Sequence, residues 1–169
     1  EALALAGATP DRFRVQFYGE ELDPVRALAQ RHGLEGVVEV HPPVARAAVV
    51  ALQQSADVLL LLGWRSERDR AVVPGKLFEY LGARRPILHV GFEGGEAADL
   101  VRSSGAGVVA NDPATIAEQL HRWRRLKVER GALPGPPLDA VRRFSREARF
   151  LELETFLRTT LAAPPSPAP

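Results

Sequence analysis

Residues 72–90 read VVPGKLFEYLGARRPILHV, a turn followed by a short helix and a buried strand. Pro74 suits a first helical turn, where its missing N–H costs nothing, and Gly75 lets a backbone or ligand approach closely. Leu77, Phe78 and Leu81 recur at helical spacing. Gly82 and Pro86 then end the helix, and Ile87, Leu88 and Val90 begin a strand. Lys76 and Glu79 interrupt this mostly apolar run and lie on neighbouring parts of one helix surface. A cation near a helix N-terminus with a carboxylate one turn later suits a ligand that has a phosphate end and a hydroxylated end.

Working outward, strand and helix signals alternate along the chain. Residues 13–18 read as a strand ending at Gly19, residues 24–32 as a helix stopped by Gly33, and residues 37–40 as a short strand. After the turn at Pro42 and Pro43, residues 45–54 form a helix, and Asp57 opens VLLLL, the composition of a strand buried on both faces. WRSERDRA, from Trp64, carries five charges and reads as a surface loop or lid. Beyond residue 90 come a helix at 94–103, a strand at 107–110 and a helix from Pro113 to Trp123 with Asp112 as N-cap. GALPGPP at 131–137 reads as a linker, and 138–161 as one long helix with Val141, Phe144, Ala148 and Leu151 on one stripe. Such alternation predicts an α/β fold, an open, mostly parallel sheet with helices on both faces. Ligands of these sheets bind outside the carboxyl ends of the strands, here after Tyr18, Val40, Leu62 and Val90.

Composition narrows the function. A net charge of +1 leaves no global field to recruit nucleic acid or an anionic membrane. With no Cys, there are no disulfides, thiolate metal sites or cysteine nucleophile, and the four His show no metal-ligand spacing. Lys occurs only at 76 and 127 in a chain otherwise rich in Arg, which makes Lys76 stand out. No apolar run approaches membrane-spanning length, and nothing near Glu1 resembles a signal peptide. His41, His89 and Trp123 read as structural or surface residues.

Residues 74–87, PGKLFEYLGARRPI, resemble the Pro-x-Lys-x-Phe-Glu-Tyr-Leu-x-x-x-x-Pro-Ile signature of group 1 glycosyltransferases. SGAGVVANDPATIAEQL, from Ser104, is similar to the strand and helix that follow that signature. The resemblance implies half of a GT-B fold, namely the C-terminal, Rossmann-like domain that holds a nucleoside diphosphate sugar donor. It implies retention at the anomeric carbon and no cofactor or obligatory metal. Glu79 would accept hydrogen bonds from the ribose hydroxyls, each worth roughly 1.5–3 kcal/mol. Pro74, Gly75, Lys76 and Gly19 would surround the diphosphate, at a helix N-terminus suited to anions. Pro42, Pro43 and Val44 match the loop around the nucleobase.

Two departures from the family pattern matter. Many members carry a further Glu that contacts the donor sugar, and ungapped counting puts Ala71 there; Glu67 and Asp69 lie nearby at a different spacing. The family's first strand of this domain, and its N-terminal acceptor-binding domain, would precede Glu1. The expected organisation is therefore a donor-binding domain over residues 1–161, without its first strand, and a Pro-rich tail over 162–169. The expected partners are the donor and the missing domain, with no nucleic acid. The expected location is cytoplasmic, or peripheral at the inner face of a membrane in the parent enzyme. Alternatives are half of a nucleotide-sugar 2-epimerase, a non-catalytic flavodoxin-like domain, or a degenerate nucleotide-binding domain.

Overall fold

The computed structural model describes residues 1–162. Its elements follow the order α1 (Ala2–Leu5), β1 (Val15–Tyr18), α2 (Asp23–Arg31), β2 (Val38–His41), α3 (Arg46–Ser55), β3 (Leu59–Leu62), a 3-10 turn (Glu67–Asp69), α4 (Gly75–Ala83), β4 (Ile87–Val90), α5 (Glu96–Ser103), β5 (Gly107–Val109), α6 (Pro113–Arg130), α7 (Leu138–Arg142) and α8 (Arg146–Ala162). The expected tail, apart from Ala162 at the end of α8, lies outside the described residues.

All strand pairs are parallel, as the alternation predicts, but they form two ladders where one sheet was expected. β1 pairs with β2, placing Phe17 beside Val40, and β3-β4-β5 forms the second ladder, with Leu61 beside His89 and His89 beside Val109. α3 carries the chain from one ladder to the other. The two-residue period of the strands sorts the second ladder's side chains between its faces. Leu61 and Ile87 pack with Leu77 and Leu81 of α4 and with Ala97 and Val101 of α5. Leu60, Leu88 and Val90 pack with Ile116 and Trp123 of α6, joined by Ala2 of α1. This ladder is thus covered on both faces.

Four local expectations change. Pro74 is the N-cap of α4, so Gly75 takes the first helical position. Gly82 stays inside the helix, which ends with Arg84 in the left-handed region. The GALPGPP segment is packed rather than a free linker, with Leu133 and Pro136 buried. The long C-terminal helix is broken between α7 and α8. There Ser145 Oγ accepts the Ala148 N–H at 3.1 Å, so a local side-chain cap starts a new helix. The proposed stripe is split with it: Val141 is buried and Leu151 is exposed. The expected N-cap of α6 forms, with Asp112 accepting the Thr115 N–H at 2.8 Å.

Candidate functional site

The functional end of the molecule follows from chain direction. Because β3, β4 and β5 are parallel, their carboxyl ends share one side of the ladder, and the loops into α4 and α5 start there. Tyr80 anchors α4 from within, its hydroxyl donating to the Leu60 carbonyl at 3.4 Å. Burial, aided by the Glu79 charge, raises the Tyr80 pKa, so the phenol keeps the proton it donates. With Leu77 and Leu81 turned into the core, Lys76 and Glu79 face solvent.

The N-terminus of α4 is open. No side chain caps it, and a Cβ added at Gly75 would meet nothing within 4 Å. Packing within the chain therefore gives no reason for glycine at this position. Among the described residues, the Glu79 carboxylate meets one side-chain donor, Gln53 Nε2 at 3.3 Å, and Lys76 has no ion-pair partner. Both charges are free to engage a ligand at little internal cost.

The other sequence-predicted residues are distributed unevenly. Gly19 and Pro42 share the wall of a shallow cavity of about 290 Å³ at the ends of β1 and β2, together with His41 and Glu21. His41 stacks on Tyr18 with ring centroids 4.7 Å apart, building one side of that end. Pro43 and Val44 belong to the same β2–α3 loop without lining the cavity. Pro74 instead lines a larger cavity of about 380 Å³ at the ends of β3 and β4, with Trp64, Asp69, His89 and Phe92. Gly75, Lys76 and Glu79 line neither cavity and lie on the open surface.

The charged 64–71 segment does not extend freely into solvent. Phe92 N–H donates to the Trp64 carbonyl at 2.9 Å, and Glu96 N–H to the Arg70 carbonyl at 2.8 Å. Arg65 Nη2 reaches the Asn111 carbonyl at 3.3 Å. These bonds lay the segment across the ends of β4 and β5 and the start of α5. Trp64 and Asp69 lie in the segment read as a surface loop or lid, and His89 was read as structural or surface, although one signal was present. His89 is the polar residue of a strand that is otherwise apolar.

Parallel ladders, flanking helices and helix N-termini opening at the strand ends define an open α/β protein of Rossmann-like class. The crystal structure of AviGT4, a glycosyltransferase involved in avilamycin A biosynthesis, is similar to it with a TM-score of 0.60. That likeness has 19% sequence identity and covers 96% of this chain and 47% of AviGT4, so the chain spans about half of that protein. At this identity the likeness establishes the fold, one shared with a GT-B glycosyltransferase. By sequence, the chain is 27% identical over 116 residues to the dihydroorotate dehydrogenase (quinone) of Delftia acidovorans (strain DSM 14801 / SPH-1). This match covers 64% of the chain and 33% of that protein. No protein-family model matches. The two named proteins point to different chemistries. No helix among the described residues is long and apolar enough to cross a membrane.

Proposed function

We propose that this chain is the donor-binding half of a group 1, retaining glycosyltransferase, which moves a sugar from a nucleoside diphosphate sugar to an acceptor. The observation that carries the reading is the open N-terminus of α4, with Lys76 in its first turn and the Glu79 carboxylate one turn later. The fold shared with AviGT4 supports it. The helix N-terminus and Lys76 hold the diphosphate and stabilise the charge that grows on it as the glycosidic bond breaks. Glu79, an acceptor when ionised, takes the two ribose hydroxyls. The base rests against the β2–α3 loop at Pro42, Pro43 and Val44, and Gly19 leaves room beside the phosphates.

The acceptor and its binding domain belong to the rest of the parent enzyme. Two features of the chain support such a neighbour. β1 and β3 each pair on one side only, so a further parallel strand between them would join the ladders into one sheet. Phe150, Leu153, Leu157 and Leu161, at helical spacing on α8, are exposed and suit contact with a second domain. Attachment of the parent enzyme to a membrane surface is compatible with this arrangement.

The direct test is a thermal-shift panel of UDP, GDP, ADP, dTDP and their sugars on the chain and on Glu79→Ala. Ligand at about a hundred times its dissociation constant adds roughly 2.7 kcal/mol of stability. In a domain of this size that raises the melting temperature by roughly 5–10 °C. A shift with one base, lost in Glu79→Ala, is the expected outcome. Equal shifts in both proteins would remove Glu79 from the site, and silence across the panel would favour a degenerate domain.

A further inference from the structure

The cavity of about 380 Å³ lies between the 64–72 segment and the body of the molecule. Trp64, Asp69 and Val72 line it from that segment, and His89, Phe92 and Gly95 line it from the body. No residue from Trp64 to Val72 is buried, so the segment arches over a void rather than packing on a core. Both its ends are held. Gly63 N–H donates to the Val90 carbonyl at 2.8 Å, continuing the β3–β4 ladder, and Val73 packs against the core that contains Leu77.

Between those ends the segment keeps its own shape. Ser66 Oγ accepts the Arg68 N–H at 3.2 Å, Asp69 N–H donates to the Ser66 carbonyl at 3.0 Å, and Val72 N–H to the Asp69 carbonyl at 2.9 Å. Glu67 pairs with Arg70 at 3.4 Å. Among the described residues, three hydrogen bonds tie it to the body: Phe92 N–H to the Trp64 carbonyl, Glu96 N–H to the Arg70 carbonyl, and Arg65 Nη2 to the Asn111 carbonyl. A unit with internal bonds, no buried side chain and few outward ties opens at low cost.

The platform under those ties is better braced. Asn111 Nδ2 donates to the Gly91 carbonyl at 2.7 Å and to Glu93 Oε1 at 2.8 Å, and Arg102 Nη1 donates to the Glu93 carbonyl at 2.7 Å. Gly95 permits the closest approach. A Cβ there would stand 3.0 Å from the Arg70 oxygen and 3.5 Å from Arg70 Cα. As the N-cap of α5, Gly95 offers no capping side chain, and the Arg70 carbonyl takes up the Glu96 N–H instead.

The group beneath the segment is His89, 3% exposed on the cavity wall. Its Nδ1 is 3.2 Å from the Leu61 carbonyl, which only accepts, so Nδ1 carries the proton and Nε2 the lone pair. Gly63 and Gly91 leave just enough room for the ring, since an added Cβ would stand 3.3 Å from its Cε1 at Gly63 and 2.8 Å at Gly91. We propose that residues 64–72 form a gate over this cavity. The gate lifts as one unit from the 91–96 loop and from Asn111 while Gly63 and Val73 stay in place, and so uncovers His89. It does not depend on the donor reading.

Hydrogen exchange on the intact chain tests the opening, and carbethoxylation by diethyl pyrocarbonate tests what it uncovers. The Phe92 and Glu96 amides, bonded to opposite ends of the gate, should share one opening equilibrium that low urea leaves unchanged. Both should exchange ahead of Ile87, whose N–H bonds to the Ala106 carbonyl within the ladder. Arg65→Ala, which removes one tie, should speed both by roughly two- to tenfold, and carbethoxylation of His89 by the same factor. Different opening equilibria for the two amides, or exchange of both only with Ile87 in global unfolding, would overturn the proposal. In the double variant Arg70→Cys, Gly95→Cys a disulfide should lock the gate, because the chain has no other Cys and the two positions are close enough to bridge. The oxidised form should carbethoxylate His89 at least about tenfold more slowly than the reduced form, with exposed His121 unaffected. An equal His89 rate in the two forms would also overturn it. If the double variant does not fold, the response of the amides and of His89 to Arg65→Ala decides the matter.

Discussion

The β3-β4-β5 ladder lies between α4 and α5 on one face and α6 on the other, and its strands contribute Leu59, Leu61, Ile87, Leu88 and His89 to the buried set. Neither β1 nor β2 contributes a buried residue. The core beside those two strands consists of Ala29, Leu34 and Val37, with half-buried neighbours such as Phe13 and Val15. A two-stranded pair with so small a core has little stability of its own. The proposed site draws on both regions. Lys76, Glu79 and the His89 cavity stand on the well-covered ladder, whereas Gly19 and the Pro42–Val44 loop stand on the sparse one. In the proposed reading, the groups facing the diphosphate are carried by the better-buried half, and the nucleobase contacts by the half most open to adjustment.

The largest expected effect tests this contrast directly. Leu77→Ala, at a fully buried residue of α4, should cost about 2–5 kcal/mol in urea unfolding. Val38→Ala, half-buried in β2, should cost about 1 kcal/mol or less. Equal losses would show that the two ladders share one cooperative core.

A pH dependence sharpens the same contrast. His89 has its folded pKa depressed below the unfolded value of about 6.5, so the unfolded chain takes up the proton first. Its neutral form is no burden above that pH. Stability should fall as pH drops below about 6.5 towards the depressed folded value. Urea midpoints across that window should show a slope that His89→Phe diminishes. An unchanged slope would assign it to other groups.

The smallest expected change is at Gly75. Since an added Cβ meets nothing, Gly75→Ala should leave stability unchanged or raise it by up to about 1 kcal/mol. Binding of the nucleotide identified in the thermal-shift panel should weaken in the same variant. A loss of stability would instead mean that glycine serves the fold.

Much of the architecture was legible because its causes are local. The apolar spacing of Leu77, Leu81 and the residues after Pro86 placed α4 and β4, and Asp112 capped α6 as its side-chain chemistry requires. The helix break at Ser145 was missed because the apolar stripe expected there continued through a residue whose side chain prefers to cap. The packing of GALPGPP was missed because Gly and Pro usually signal exposed turns, whereas burial of Leu133 and Pro136 depends on distant partners.

The sequence by itself determined the order of strands and helices, the parallel character of the pairing, and Lys76 and Glu79 as a pair on α4. Each follows from side-chain periodicity or from spacing within one element. Tertiary structure alone decided that the strands form two ladders and that Asp69, rather than Ala71, reaches the cavity beside Pro74. It also decided the state of His89, whose tautomer is set by Leu61 across the ladder and whose position is bounded by Gly63 and Gly91. Those residues lie on different segments, and only folding brings a carbonyl, two missing side chains and an apolar wall around one imidazole.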